Sequence, residues 1–116
     1  MARRPLRNYL RTWRKRWALS QKQFALLLGF RSCAHLSKYE NDHRLPTLRS
    51  ALACEIIFGV PVSTLFEGLH AEVEEEVMRR AKALYERVEL RTDAAGVRKR
   101  ELLMAMLARA TDQSNP

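Results

Sequence analysis

The side chains able to do chemistry in this sequence are mainly cations, and their chemistry is the attraction of anions. The chain of 116 residues carries 21 Lys and Arg against 13 Asp and Glu, a formal net charge of +8. Twelve of those bases fall in residues 1–49 beside only two acids, Glu40 and Asp42, so that stretch carries +10. Residues 50–116 hold the other nine bases and eleven acids, a net −2. Ten positive charges gathered in one half make a field that draws phosphate polymers or anionic lipid. Covalent chemistry has no comparable support. Cys33 and Cys54 stand 21 positions apart with no C-x-x-C pair, a usage that suits a reducing cytosol rather than a disulfide framework. His35, His43 and His70 share no metal-ligand spacing with each other or with the cysteines. With no nucleophile–base pair, phosphate-binding glycine loop or paired carboxylates, the expectation is no enzyme, no metal and no cofactor.

Composition sets the frame that positions these charges. At 47% hydrophobic and 29% charged, with four Gly and four Pro, the chain is globular. No apolar run nears the roughly 18 residues that a membrane-spanning helix needs. Helical signals then run from end to end. Arg7 to Trp17 places Leu10, Trp13 and Trp17 at i, i+3, i+7, one apolar stripe on a basic helix, with both tryptophans spaced as core residues. A stripe so narrow and tryptophan-anchored suits a domain core better than a membrane surface. Ser20 reads as the N-cap of a second helix over 21–28, ended by Gly29. A third runs from Cys33 to Asn41 with Leu36 and Tyr39 inward, and Asn41 to Pro46 is a loop. Thr47 caps a fourth helix that Gly59 and Pro61 stop, and Ser63 caps a last short turn. The single β-branched run, Val60-Pro61-Val62, is interrupted by proline, so no strand is expected.

From Leu69 the texture changes. One helix over 69–91 puts acids first and bases later, with pairs such as Glu75–Arg79 four apart, an order that suits the helix dipole. Thr92 to Gly96 breaks it, and a final helix runs from about Val97 to Ala110. Residues 102–107 of that helix spread apolar side chains over more than half its circumference, so it requires a cover. The boundary between the two parts is placed at 68/69.

Two short helices joined by a tight turn at Gly29, within so basic a half, describe a helix-turn-helix, in which one helix fits the major groove and the other braces it. The residues that carry this are Arg14, then Leu19-Ser20-Gln21-Lys22-Gln23-Phe24-Ala25, Leu28-Gly29-Phe30, Leu36-Ser37-Lys38-Tyr39-Glu40-Asn41, Arg44 and Pro46, and finally Phe58 through Phe66. With them, residues 10–66 resemble the lambda-repressor-like, xenobiotic-response-element (XRE) type of helix-turn-helix domain. The resemblance implies an all-α fold, a five-helix DNA-binding domain followed here by two C-terminal helices. It implies that Gln21 bonds a DNA phosphate and that Ser32, Cys33, Ala34, Ser37 and Lys38 face base edges. Asn41 and Arg44 would contact phosphate, and Arg14 would pair with Glu40 inside the fold. Lys22 and Arg31 join the DNA-binding set as cations, the alternative being a solvated basic face. Two departures stand out: Gly29 to Glu40 is one residue longer than the family spacing, and Asp42 occupies a position where the family often has glycine.

The resulting expectation is a bacterial or phage transcription regulator in the cytoplasm, associated with the nucleoid. It would act as a dimeric repressor on a pseudo-palindromic operator in double-stranded DNA. Val77, Leu84, Val88, Leu103, Met106 and Leu107 are assigned to the homodimer interface, because two joined domains reading adjacent half-sites bind far more tightly than one. The alternative for the same helices is folding back on their own chain. A different reading of the whole chain is an antitoxin-like or antiactivator module whose C-terminal helices grip a partner protein, with DNA binding autoregulatory.

Overall fold

The computed structural model describes residues 6–114, and side chains as far as Thr111. Arg3 and Arg4, two of the twelve bases of residues 1–49, lie outside the described residues. Among the described residues the regular structure is all helical: α1 Leu10–Arg16, α2 Gln21–Leu28, α3 Cys33–Glu40, α4 Leu48–Phe58, α5 Val62–Leu65, α6 Glu67–Val88 and α7 Ala94–Ser114. It divides into two compact units, the first ending at Ala71 and the second beginning at Glu72. The first turn of α6 belongs to the first unit because Leu69 packs on that unit's core.

Local chemistry sets the helix ends in the first unit. Ser20 accepts the Gln23 amide at 3.0 Å while the Gln23 side chain accepts the Ser20 amide at 2.9 Å, a full capping box. Thr47 accepts the Ser50 amide at 3.1 Å and starts α4. The turn between α2 and α3 closes with Gly29 at φ +80 and the Phe30 amide bonded to the Ala25 carbonyl, a Schellman-type end. Ser32 is the extended N-cap of α3, so the longer connection is taken up between Gly29 and Ser32 and α3 itself starts at Cys33. The core beneath holds Leu10, Phe24, Leu36, Tyr39, Cys54 and Leu65, each all but completely buried. Phe24 meets Phe58 edge-on at 5.2 Å. Burial in this apolar setting pushes the Cys54 thiol up to about 12, which keeps it an unreactive core residue. The two ends of the unit are joined by the backbone, Tyr9 N–H to Leu65 carbonyl at 2.7 Å and Gly68 N–H to Leu6 carbonyl at 2.8 Å.

Three expectations need correction. Trp17 is 62% exposed rather than in the core. α1 stops at Arg16, and Ala18 turns the chain back at φ +56, with Leu19 N–H bonded to the Arg14 carbonyl, so the apolar stripe loses its last member. Ser63 does not cap α5; that helix starts at Val62, whose amide donates to the Glu55 carboxylate at 2.8 Å. The long helix ends at Val88, earlier than its sequence suggests, and α7 starts at Ala94.

Ala18 offers a direct measurement. A left-handed conformation costs an alanine about 1–2 kcal/mol, and glycine escapes that cost while losing about 0.4–1 kcal/mol through its freer unfolded chain. Ala18→Gly should therefore stabilise the first unit by about 0.5 kcal/mol. Both tryptophans lie in this unit, so the urea midpoint followed by their fluorescence reads it alone. An unchanged or lower midpoint would show that the reversal at Ala18 carries no penalty.

In the second unit, α6 and α7 form a helical hairpin around Ala81, Val88 and Leu103, with Tyr85 and Met106 packed against them. Arg100 donates to the Val88 carbonyl at 2.8 Å and also to the Arg91 carbonyl, covering the end of α6. The Asp93 carboxyl lies below the ordinary carboxylate range, chiefly because Arg91 donates hydrogen bonds to it. Gly96 sits where a Cβ would come within 2.6 Å of the Arg91 Cβ, so the turn admits no side chain there. Val88 and Leu103 are 4% and 3% exposed within a single chain, and Met106 is half-buried beside them. Val77, Leu84 and Leu107 stay outside, 37–43% exposed.

Candidate nucleic-acid interface

α3 is the element that a groove would receive, and its sequence divides it cleanly into two faces. At 100° per residue, Leu36 and Tyr39 fall on one side, and both are buried. Ala34, Ser37, Lys38 and Asn41 fall on the opposite side within about 100° of arc, with Arg31 on the turn before them. Arg31, Ala34, Lys38 and Asn41 are exposed; Ser37 is half-buried and accepts from the Asn41 amide at 3.3 Å. Ser32 is exposed at the N-cap, its side chain making no capping bond. Cys33 is half-buried at the edge of this face and lines a shallow hollow with Lys22, Leu26, Phe30 and Arg31. His35 turns away from the face: its ring lies 4.8 Å from Phe30 and 5.1 Å from Tyr39, in an aromatic cluster that buttresses the helix.

What holds α3 at its angle is a carboxylate hub. Arg14 on α1 donates to Glu40 through Nε at 2.7 Å and through its terminal nitrogen at 3.1 Å, the two-pronged fit of guanidinium to carboxylate. Its other terminal nitrogen donates to the Leu19 carbonyl at 3.0 Å. Gln21, the first residue of α2, donates to the same Glu40 at 3.1 Å. One side chain thereby ties α1, α2 and α3 together. The Glu40 and Arg14 side chains are 2% and 10% exposed, so the pair is screened from solvent. Gln21 thus braces the fold, and one of its two amide N–H groups faces inward.

The Gln21–Glu40 bond was not legible from the motif; a glutamine beside the capping serine gives no sign of a partner 19 residues away. Nor does the sequence mark the role of Asn8. It donates to the Tyr39 carbonyl at 3.1 Å and pins the start of α1 to α3. The capping box, by contrast, is written in the sequence as Ser20-x-x-Gln23.

The loop after α3 folds back on the helix, with His43 and Arg44 amides both bonded to the Lys38 carbonyl. Asp42 adopts φ +58, the conformation glycine would take more easily, and its carboxylate pairs with Arg7 at 2.5 Å. The electrostatic consequence is simple. Both acids of the first 49 residues are engaged, Glu40 inside and Asp42 by Arg7. Lys22, Arg31, Lys38 and Arg44 are exposed, and among the described residues none of them is paired with a carboxylate. A protruding helix with uncompensated cations on and around it can take up an anionic polymer. Among the described residues no group of His, Cys, Asp and Glu can hold a metal ion, and no helix is long and apolar enough to cross a membrane.

Comparison with known proteins adds one match. Residues 10–65, just under half of the chain, fit a family model described as helix-turn-helix. No curated protein and no solved structure matches the chain significantly.

Proposed function

We propose that this chain, whose residues 10–65 fit the helix-turn-helix family model, is a DNA-binding transcription regulator of the lambda-repressor-like XRE type and acts as a repressor. In this reading two copies occupy a pseudo-palindromic operator. α3 enters the major groove with Lys38 as its principal base reader and Ala34, Ser37 and Ser32 beside it. Lys22, Arg31, Asn41 and Arg44 neutralise or bond phosphates, and Gln21 offers its second N–H outward. The observation that carries the reading is the outward face of α3, free of carboxylate and ringed by four exposed cations.

Pairing of copies falls to the apolar surface that the α6–α7 hairpin leaves uncovered. Val73, Val77 and Leu84 line one edge of α6, with Leu107 exposed on α7. Two hairpins packed along that edge make a four-helix arrangement that links two DNA-binding units, as reading two adjacent half-sites requires.

Salt titration tests the DNA reading. Three cationic phosphate contacts per domain give a slope of log K against log salt of about −2.7, doubling to about −5.4 for a pair. Fluorescence anisotropy on duplexes from the native promoter region, between 50 and 300 mM salt, reads this out. Absence of salt-sensitive binding to any duplex refutes the function. Light scattering on the pure chain separates the pairing claim: a homodimer supports it, whereas a chain that is monomeric or aggregates without a partner points to the protein-interaction module instead.

A further inference from the structure

The second unit carries a charge polarity that DNA recognition by α3 does not use. Residues 72–77, at the open end of the α6–α7 hairpin, hold four acids and no Lys or Arg, a net −4. Residues 78–101, which run to and around the turn between the helices, hold eight bases and four acids, a net +4. One end of the hairpin is therefore acidic and the other basic. The edge of α6 that α7 leaves uncovered runs from one to the other. At 100° per residue, Val73, Val77 and Leu84 fall within about 40° of arc, and Glu76, Arg80 and Arg87 flank them on one side within about another 40°. All six are exposed, whereas Ala81 and Val88 on the neighbouring face are buried against Leu103.

We propose that the α6 edges of two copies pair antiparallel, with the acidic end of each hairpin against the basic end of the other. The inference rests on the pairing reading above and fixes its orientation. Two hairpins packed face to face close about a two-fold axis that runs either along their helices or across them. An axis along the helices sets −4 beside −4 and +4 beside +4, and like charge juxtaposed across an interface opposes association. An axis across the helices reverses one hairpin, so that −4 meets +4 at both ends. A crossing near residue 82 then brings Glu76 of each copy to Arg87 of the other, while the stem of Arg80 lies along the apolar edge. Connectivity favours the same choice. Each first unit joins α6 at the acidic end, and its residues 1–49 carry +10. At 1.5 Å per residue, the antiparallel crossing leaves residue 72 of the two helices about 30 Å apart, well beyond the ~8 Å Debye length at physiological salt. The other alignment gathers both basic segments at one end. Because opposite charges meet at this interface, salt loosens the pair as well as the DNA contact.

Sedimentation equilibrium on the full chain, without DNA, tests it. The parent is expected to form a reversible dimer whose dissociation constant rises at least about fivefold between about 0.05 and 0.5 M NaCl. Glu76→Lys or Arg87→Glu alone sets like charges face to face twice in the symmetric pair, and each should weaken it about tenfold. The double variant Glu76→Lys/Arg87→Glu keeps the net charge and restores both contacts, so its dimer should match the parent's. Mixing decides the orientation directly. Parent and double variant meet like to like in an antiparallel pair, so mixed dimers should form at least about tenfold less well than either homodimer. Preferential mixed dimers, or a dimer that Arg87→Glu strengthens, would mean that like ends lie together and would overturn the proposal. A parent dimer indifferent to salt and to all these changes overturns it too, while the pairing reading stands. A parent chain that is monomeric under every condition defeats both. Unchanged helix content by circular dichroism excludes misfolding as the cause of any loss.

Discussion

Glu40→Ala costs the first unit about 3–5 kcal/mol and removes DNA binding with it. The reason is what the substitution strands. Arg14 is 8% exposed and would keep only the Leu19 carbonyl as partner, leaving a buried guanidinium without a counter-charge. Breaking a buried pair from one side costs about 3–5 kcal/mol, a large share of the 5–15 kcal/mol that holds a typical domain. Gln21 loses its acceptor in the same step. Removing both charges together is far milder, so Arg14→Met combined with Glu40→Leu should recover most of the loss, since replacing such a pair by apolar groups is often near neutral. Urea unfolding followed by tryptophan fluorescence gives the cycle. A single-variant loss below about 1 kcal/mol would place the pair with ordinary surface ion pairs and remove the hub from the account.

Lys38→Ala is expected to lower affinity for the operator by about 10–100-fold, the 1–3 kcal/mol of one good base contact, while binding to unrelated duplex changes little. Arg44→Ala should behave differently, weakening operator and random DNA alike and making the salt slope shallower by about one unit. The contrast lies in position. Lys38 projects from the middle of the outward α3 face, while Arg44 follows the helix in the loop bonded to the Lys38 carbonyl. Competition assays with specific and nonspecific duplexes measure both ratios. Equal losses on the two DNAs for Lys38→Ala would reduce that residue to a phosphate contact and require another base reader on α3.

Much of this fold is written locally. Ser20 and Thr47 announce helix starts through side chains that satisfy nearby amides, and Gly29 and Gly59 announce ends through the left-handed turn they adopt without strain. Where the determining group is distant, the sequence is silent. Ala18 is the best of helix formers by type, yet the packing of α1 on α3 requires a reversal there. Ser63 looks like a cap, but Glu55 reaches the Val62 amide of that turn from the preceding helix. The candidate site divides in the same way. Outward residues of α3 follow from periodicity alone, whereas the withdrawal of His35 depends on a ring from the preceding turn and another from its own helix. Periodicity likewise marks Val88 and Leu103 as buried and cannot say which helix buries them, so a seam formed within one chain and a seam between two look alike.

The two backbone bonds that fasten Leu6 and Tyr9 to Gly68 and Leu65 have a mechanical consequence. Tension arriving along α6 meets this clasp first, at the rim of the domain. The clasp shares the load with α1 before any of it reaches α2 and α3, the helices proposed to contact DNA. A pull transmitted from the far end of the chain should therefore peel the N-terminal segment and α5 apart while α2 and α3 still hold their register, and force spectroscopy would record a small early rip ahead of the main one.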